Sequence, residues 1–100
     1  MDYRLVWTNE AVQNLEVILT YLGKRWTDRE INLFKQKLSK LLDLITKFPG
    51  MFPKSGFNEK LHKAVLSKQT TLFYLVEENS IYLVSLFITY QDENRIKRLK

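Results

Sequence analysis

The chain has 100 residues, enough for one domain with one core and too few for two. A hydrophobic fraction of 45% excludes intrinsic disorder, and 27% charged residues keep a folded surface solvated. There is no cysteine for a disulfide framework or a thiolate nucleophile, and a single histidine leaves no ligand set for structural zinc.

No apolar run reaches the roughly 18–20 residues that span a bilayer. The opening Met1-Asp2-Tyr3-Arg4-Leu5 lacks a charged segment followed by an apolar one, so it does not read as a secretory signal. A cytoplasmic protein is expected. The net charge of +5 is spread out: residues 1–50 carry eight Lys/Arg against six Asp/Glu, and residues 51–100 carry eight against five. Such a balance permits nucleic acid, the ribosome or an acidic protein as partner.

Tyr3-Arg4-Leu5-Val6-Trp7 alternates as a short first strand. Thr8 sits where a helix N-cap belongs, with Glu10 in the first turn at the positive end of the helix dipole. Ala11, Leu15, Ile18 and Leu22 then recur on one helical face, which Gly23 closes. Thr27-Asp28-Arg29-Glu30 is a capping box opening a second helix. Its stripe, Ile31, Phe34, Leu38, Leu41, Ile45 and Phe48, is the strongest periodic signal in the chain. Phe48-Pro49-Gly50 stops it, because proline drives the preceding residue out of helical geometry. With so short an interval between them, the helices are expected to pack as an antiparallel hairpin. Trp7 and Trp26 are expected to anchor the core at the ends of that hairpin.

Residues 49–60 read as an ordered loop, holding both prolines and two of the three glycines. Leu61–Lys68 is then expected to be a strand, and Thr70–Glu77 and Ile81–Tyr90 an antiparallel pair joined through Glu78-Asn79-Ser80. Ile81 to Ile88 is apolar except for Ser85, as in a central strand covered on both faces. The order is β-αα-βββ: an α+β fold in which a small, antiparallel-rich sheet, including the first strand, packs against the helical hairpin. Beyond it lies the basic tail Arg95-Ile96-Lys97-Arg98-Leu99-Lys100.

Several stretches together resemble the RelE/ParE superfamily of toxins from bacterial type II toxin–antitoxin modules. They are Val6-Trp7-Thr8-Asn9-Glu10-Ala11 with Leu15; Ile18, Tyr21-Leu22 and Trp26; Leu38, Leu41, Leu44, Phe48-Pro49 and Phe52; Leu72-Phe73-Tyr74-Leu75-Val76; and Phe87-Ile88-Thr89-Tyr90-Gln91-Asp92. The resemblance covers nearly the whole chain. It implies a sheet with two helices on one face, no cofactor, and a cognate antitoxin that wraps and silences the toxin. It also implies one of two targets: messenger RNA in the ribosome, cleaved by RelE-like members, or DNA gyrase, poisoned by ParE-like members. Fold does not choose between them.

Metal-free RNA cleavage needs a base for the 2′-OH, cations for the developing charge and an acid for the leaving oxygen. The candidates here are His62, Lys63, Tyr90 and Arg95, with Lys60, Lys68, Gln91, Lys97 and Arg98 as RNA- or target-binding groups. His62 has the only side chain with an ordinary pKa near neutrality, yet a lone histidine is more often a half-exposed strand residue. Tyr74, among Leu72, Phe73 and Val76, is expected to pack in the sheet with its hydroxyl satisfied. Tyr90 is better placed, because a phenol at a strand end can stack on a base or donate a proton.

The chain also departs from the pattern it resembles. Many relatives carry Arg before the Gln that Gln91 matches and Pro two residues after it; here Tyr90 and Glu93 stand instead. The Tyr-Arg-Val common in the preceding strand is Tyr74-Leu75-Val76. With two phosphate-contacting arginines missing, the expectation leans to a ParE-like poison over a RelE-like ribonuclease. A toxin fold kept only as a binding module is a third reading.

Overall fold

The computed structural model describes residues 3–56, 58–67 and 70–88. The elements run β1 (Arg4–Trp7), α1 (Asn9–Gly23), α2 (Asp28–Lys47), a 3-10 turn at Pro49–Met51, β2 (His62–Val65), β3 (Thr70–Glu77) and β4 (Ser80–Ile88). They form one four-stranded sheet in the order β1-β4-β3-β2. β1 lies parallel to β4, and the other two pairings are antiparallel. The expected β-αα-βββ order and the return of the first strand to the sheet are both observed.

Local chemistry accounts for the helix ends. Thr8 Oγ1 accepts from the Ala11 N–H, so this residue caps α1 as its position predicts. At α2 the Glu30 N–H donates to Thr27 Oγ1 and the Thr27 N–H to Glu30 Oε1, completing the capping box. The link between the helices is held by the Arg25 guanidinium, 4.5 Å above the Tyr21 ring centre. Ahead of Pro49, Phe48 leaves the helical region with φ −134° and ψ 66°.

The core lies between the helices and one face of the sheet. α1 contributes Ala11, Ile18 and Leu22, α2 contributes Phe34, Leu38, Leu41 and Ile45, and the sheet contributes Ala64, Leu72, Tyr74, Ile81, Leu83 and Leu86. Trp7 and Trp26 are half-buried against this core, and Trp26 meets Phe34 edge-on at 6.2 Å. Phe48, expected in the α2 stripe, is exposed: it follows the last helical turn, where the chain has already left the helix axis.

Two expectations for the strand ends are corrected. Of the strand expected over Leu61–Lys68, whose last residue lies outside the described residues, His62–Val65 is observed, because the chain turns at Leu66, whose N–H already donates to the Thr70 carbonyl. The link between β3 and β4 is Glu78-Asn79 alone, with Ser80 opening β4 and Glu78 at φ 54°. That left-handed geometry lets two residues reverse a twisted pair.

β4, expected to be covered on both faces, is covered on one. Ile81, Leu83 and Leu86 are buried, whereas Phe87 is exposed and Tyr82 and Val84 are half-buried. The register explains the apolar run: Phe73 faces Ser85 but Tyr74 faces Leu83, leaving Val84 as an unpaired bulge residue. The bulge shifts the alternation by one, so residues three apart both point inward.

α1 satisfies the backbone that the bulge disturbs. Thr8 Oγ1 donates to the Leu83 carbonyl at 2.7 Å and lies 3.2 Å from that of Val84. The Leu86 N–H, past the end of β1, donates to Asn14 Oδ1 at 3.0 Å. Two side chains of the first helical segment thus complete the hydrogen bonding of the last strand.

Candidate functional site

The helices cover the sheet on one side only, so the other side is where side chains can meet a partner. Cross-strand register assigns its rows. Val6, Tyr82 and Leu75 lie side by side on β1, β4 and β3. Next come Ser85, Phe73 and Lys63, then Phe87, Thr71 and Val65. Phe87 is 59% exposed and Val65 58%, while Phe73, Leu75 and Tyr82 are half-buried by their neighbours on this face. Arg4, also exposed, lies at the β1 margin and Lys63 at the β2 side. The centre of the face is therefore apolar and aromatic, and the described cations sit at its edges.

His62 and Lys63 are consecutive in β2 and point to opposite faces. Lys63 is exposed on the open side. His62 is buried on the helix side, stacked on the Tyr74 ring at 4.9 Å and 10°. Its Nδ1–H donates to the Phe52 carbonyl at 2.8 Å. A half-exposed histidine was expected; inward alternation and the loop folded over it bury it instead. The structure does not bring His62 and Lys63 onto one surface.

Tyr74 fits its expectation. It is buried, its hydroxyl donates to the Pro49 carbonyl at 2.6 Å, and Phe52 meets it edge-on at 6.3 Å. Burial pushes its pKa up to about 12. His62 and Tyr74 together tie the segment after α2 to the sheet through the Phe52 and Pro49 carbonyls.

Lys60 is exposed in the turn before β2 and lines a depression with Lys54, Glu59, Leu75 and Glu77. Two lysines and two glutamates line it together, so its formal charges balance. Lys68, Tyr90, Gln91, Arg95, Lys97 and Arg98 lie outside the described residues. Among the described residues no group of three His, Asp or Glu side chains is placed to hold a metal ion. No helix among them is long and apolar enough to cross a membrane.

Sequence reasoning passed over Phe73, Tyr82 and Phe87 as surface groups. The alternation Thr71, Phe73, Leu75 carried a signal, but in β4 the bulge at Val84 hid it.

No protein-family model and no curated protein matches the chain in sequence. Solved structures do match in fold. A chain of the chromosomal ParDE TA system from P. aeruginosa superposes with a TM-score of 0.74 at 11% identity, over 86% of this chain and 95% of that one. A chain of the E. coli DinJ-YafQ toxin-antitoxin complex gives 0.62 at 12% identity, over 93% and 99%. The YoeB dimer of Staphylococcus aureus gives 0.59 at 16%, over 87% and 97%. The chain has the RelE/ParE-like toxin fold, as its residues led one to expect.

Proposed function

We propose that this chain is the toxin of a type II toxin–antitoxin pair, acting in the cytoplasm in the ParE manner: it arrests growth by poisoning DNA gyrase. The observation behind the choice of target is the composition of the open sheet face. It presents Phe73, Leu75, Tyr82 and, at one end, Phe87, a surface that buries apolar area against a protein. Leu75 occupies the middle of that face at the position where the resemblance places an arginine. The histidine is turned away from it and already donates to the Phe52 carbonyl. The fold likeness supports the toxin class, and with it a cognate antitoxin as partner.

The second reading, a metal-independent ribonuclease cutting mRNA in the ribosome, draws on the exposed Lys63 beside Phe73, because aromatic rings next to a cation also suit stacked bases. In that reading Tyr90 and Arg95 supply the proton and the phosphate contact.

Induced expression followed by two assays separates these readings. Purified protein is expected to inhibit gyrase supercoiling and trap cleaved DNA, with cellular transcripts intact. Normal supercoiling at excess protein, with mRNA cut on ribosomes and cutting lost in Tyr90→Phe, would reverse the assignment. Unimpaired growth on expression would leave the toxin fold as a binding module.

A further inference from the structure

The seam between the helices is open on the side turned towards β1. Leu5, Leu15, Leu19 and Leu42, all half-buried, line a groove there with the buried Leu38. Along its α2 rim stand Lys35, Ser39 and Asp43, four residues apart and all exposed, so they form one row on the helix surface. Val12, 41% exposed, lies about two turns before Leu19 on α1 and extends the apolar surface of that flank.

The row changes sign along its length and has a small residue at its midpoint. Lys35 and Asp43 are roughly 12 Å apart along the helix axis, too far to pair with each other. A partner segment of one charge therefore suits only one end of the row. A second α2 laid antiparallel, crossing at Ser39, suits both ends. Its Asp43 meets Lys35, its Lys35 meets Asp43, and the two serines, carrying little bulk, let the helices come close at the crossing. A parallel copy would set like charges together. The row is thus its own complement under a two-fold axis, the condition for an isologous interface.

We infer that this groove is a self-association site, in which two copies of the chain pair α2 against α2 about a two-fold axis. Each α2 seats against Leu15, Leu19 and Leu42 of the other copy, which gives the pair an apolar centre between two Lys35–Asp43 contacts. The net charge of +5 on each chain opposes association, so pairing depends on this local match. The helices lie on the side of the sheet opposite Phe73, Leu75 and Tyr82, so both open faces stay uncovered and the pair presents two target surfaces. Pairing does not depend on what those surfaces bind.

The test is sedimentation equilibrium of the purified full-length chain over a range of concentrations. A reversible dimer is expected. Lys35→Asp and Asp43→Lys are each expected to weaken it by about tenfold or more, because each sets two like-charged pairs in the interface. Mixed in equal amounts, the two variants are expected to pair with each other, since every contact then joins opposite charges; native mass spectrometry reads the mixed dimer. That recovery also separates lost pairing from lost folding. Leu42→Glu is expected to weaken the parent dimer, and Phe87→Lys, on the open sheet face, to leave it unchanged.

A chain that stays monomeric at its highest soluble concentration would overturn the assignment. So would a dimer indifferent to either charge reversal, variants that fail to pair when mixed, or a dimer lost with Phe87→Lys. A monomer whose α2 flank gains amide-exchange protection only with a different, co-expressed protein would also overturn it and make that protein the occupant.

Discussion

The two faces of β3 carry similar side chains and have opposite roles. Leu72 and Tyr74 point to the helices and are fully buried; Phe73 and Leu75, their immediate neighbours, point to the open side and are half-buried. Composition does not distinguish the faces, because both are apolar. Cover does: α1 and α2 complete one face and leave the other open. Large apolar residues mark both a core and a binding surface, and only their neighbours separate the two.

The most severe way to break this comparison is to truncate both sides. Leu83→Ala, on the inner face of β4, should lower unfolding free energy by about 2–5 kcal/mol, whereas Leu75→Ala, on the open face of β3, should cost less than about 1 kcal/mol. Urea unfolding of both variants checks this, and equal losses would mean that the open face is covered in solution.

Next in size is the buried phenol. Because burial raises the Tyr74 pKa from 10 to about 12, the folded state holds the proton more tightly than the unfolded chain. Its stabilising contribution is fully present below pH 10 and is lost as the pH climbs towards 12, up to about 2–3 kcal/mol. The pH dependence of Tyr74→Phe should therefore be shallower than that of the parent between pH 10 and 12, measured by denaturant unfolding at each pH. Parallel curves would show that the phenol ionises alike in both states.

The smallest effect tests how the bulge is supported. Asn14→Ala removes the acceptor of the Leu86 N–H and should cost about 1–2 kcal/mol, with faster amide exchange at Leu86. Asn14→Asp keeps the acceptor and should retain most of the stability. A loss shared equally by both variants would assign the effect to helix packing instead.

Much of the architecture could be read before the structure. The capping box at Thr27–Glu30, the stop at Phe48-Pro49 and the stripe from Phe34 to Ile45 depend on residues within a few positions of one another, so local spacing carries them. The same holds for Tyr74, whose apolar neighbours announced a buried phenol. The open face was harder to foresee. Its recognition requires knowing that Ser85 faces Phe73 while Leu83 faces Tyr74, and that offset leaves no mark on an apolar run. His62 was similarly opaque, since its partner is a main-chain carbonyl ten residues earlier.

The sequence by itself determined the element order, the helix boundaries and the resemblance to RelE/ParE toxins, all through periodicity, caps and turn residues that act over a few positions. The tertiary structure decided which apolar residues became core and which became surface. It did so because the sheet's cover comes from α1 and α2 together, and the bulge's support from Thr8, the α1 N-cap, and Asn14, which meet a strand more than seventy residues further along the chain. The same packing leaves Phe87 outside the core, while the Phe52 carbonyl and the Tyr74 ring, ten and twelve residues away, hold His62 inward.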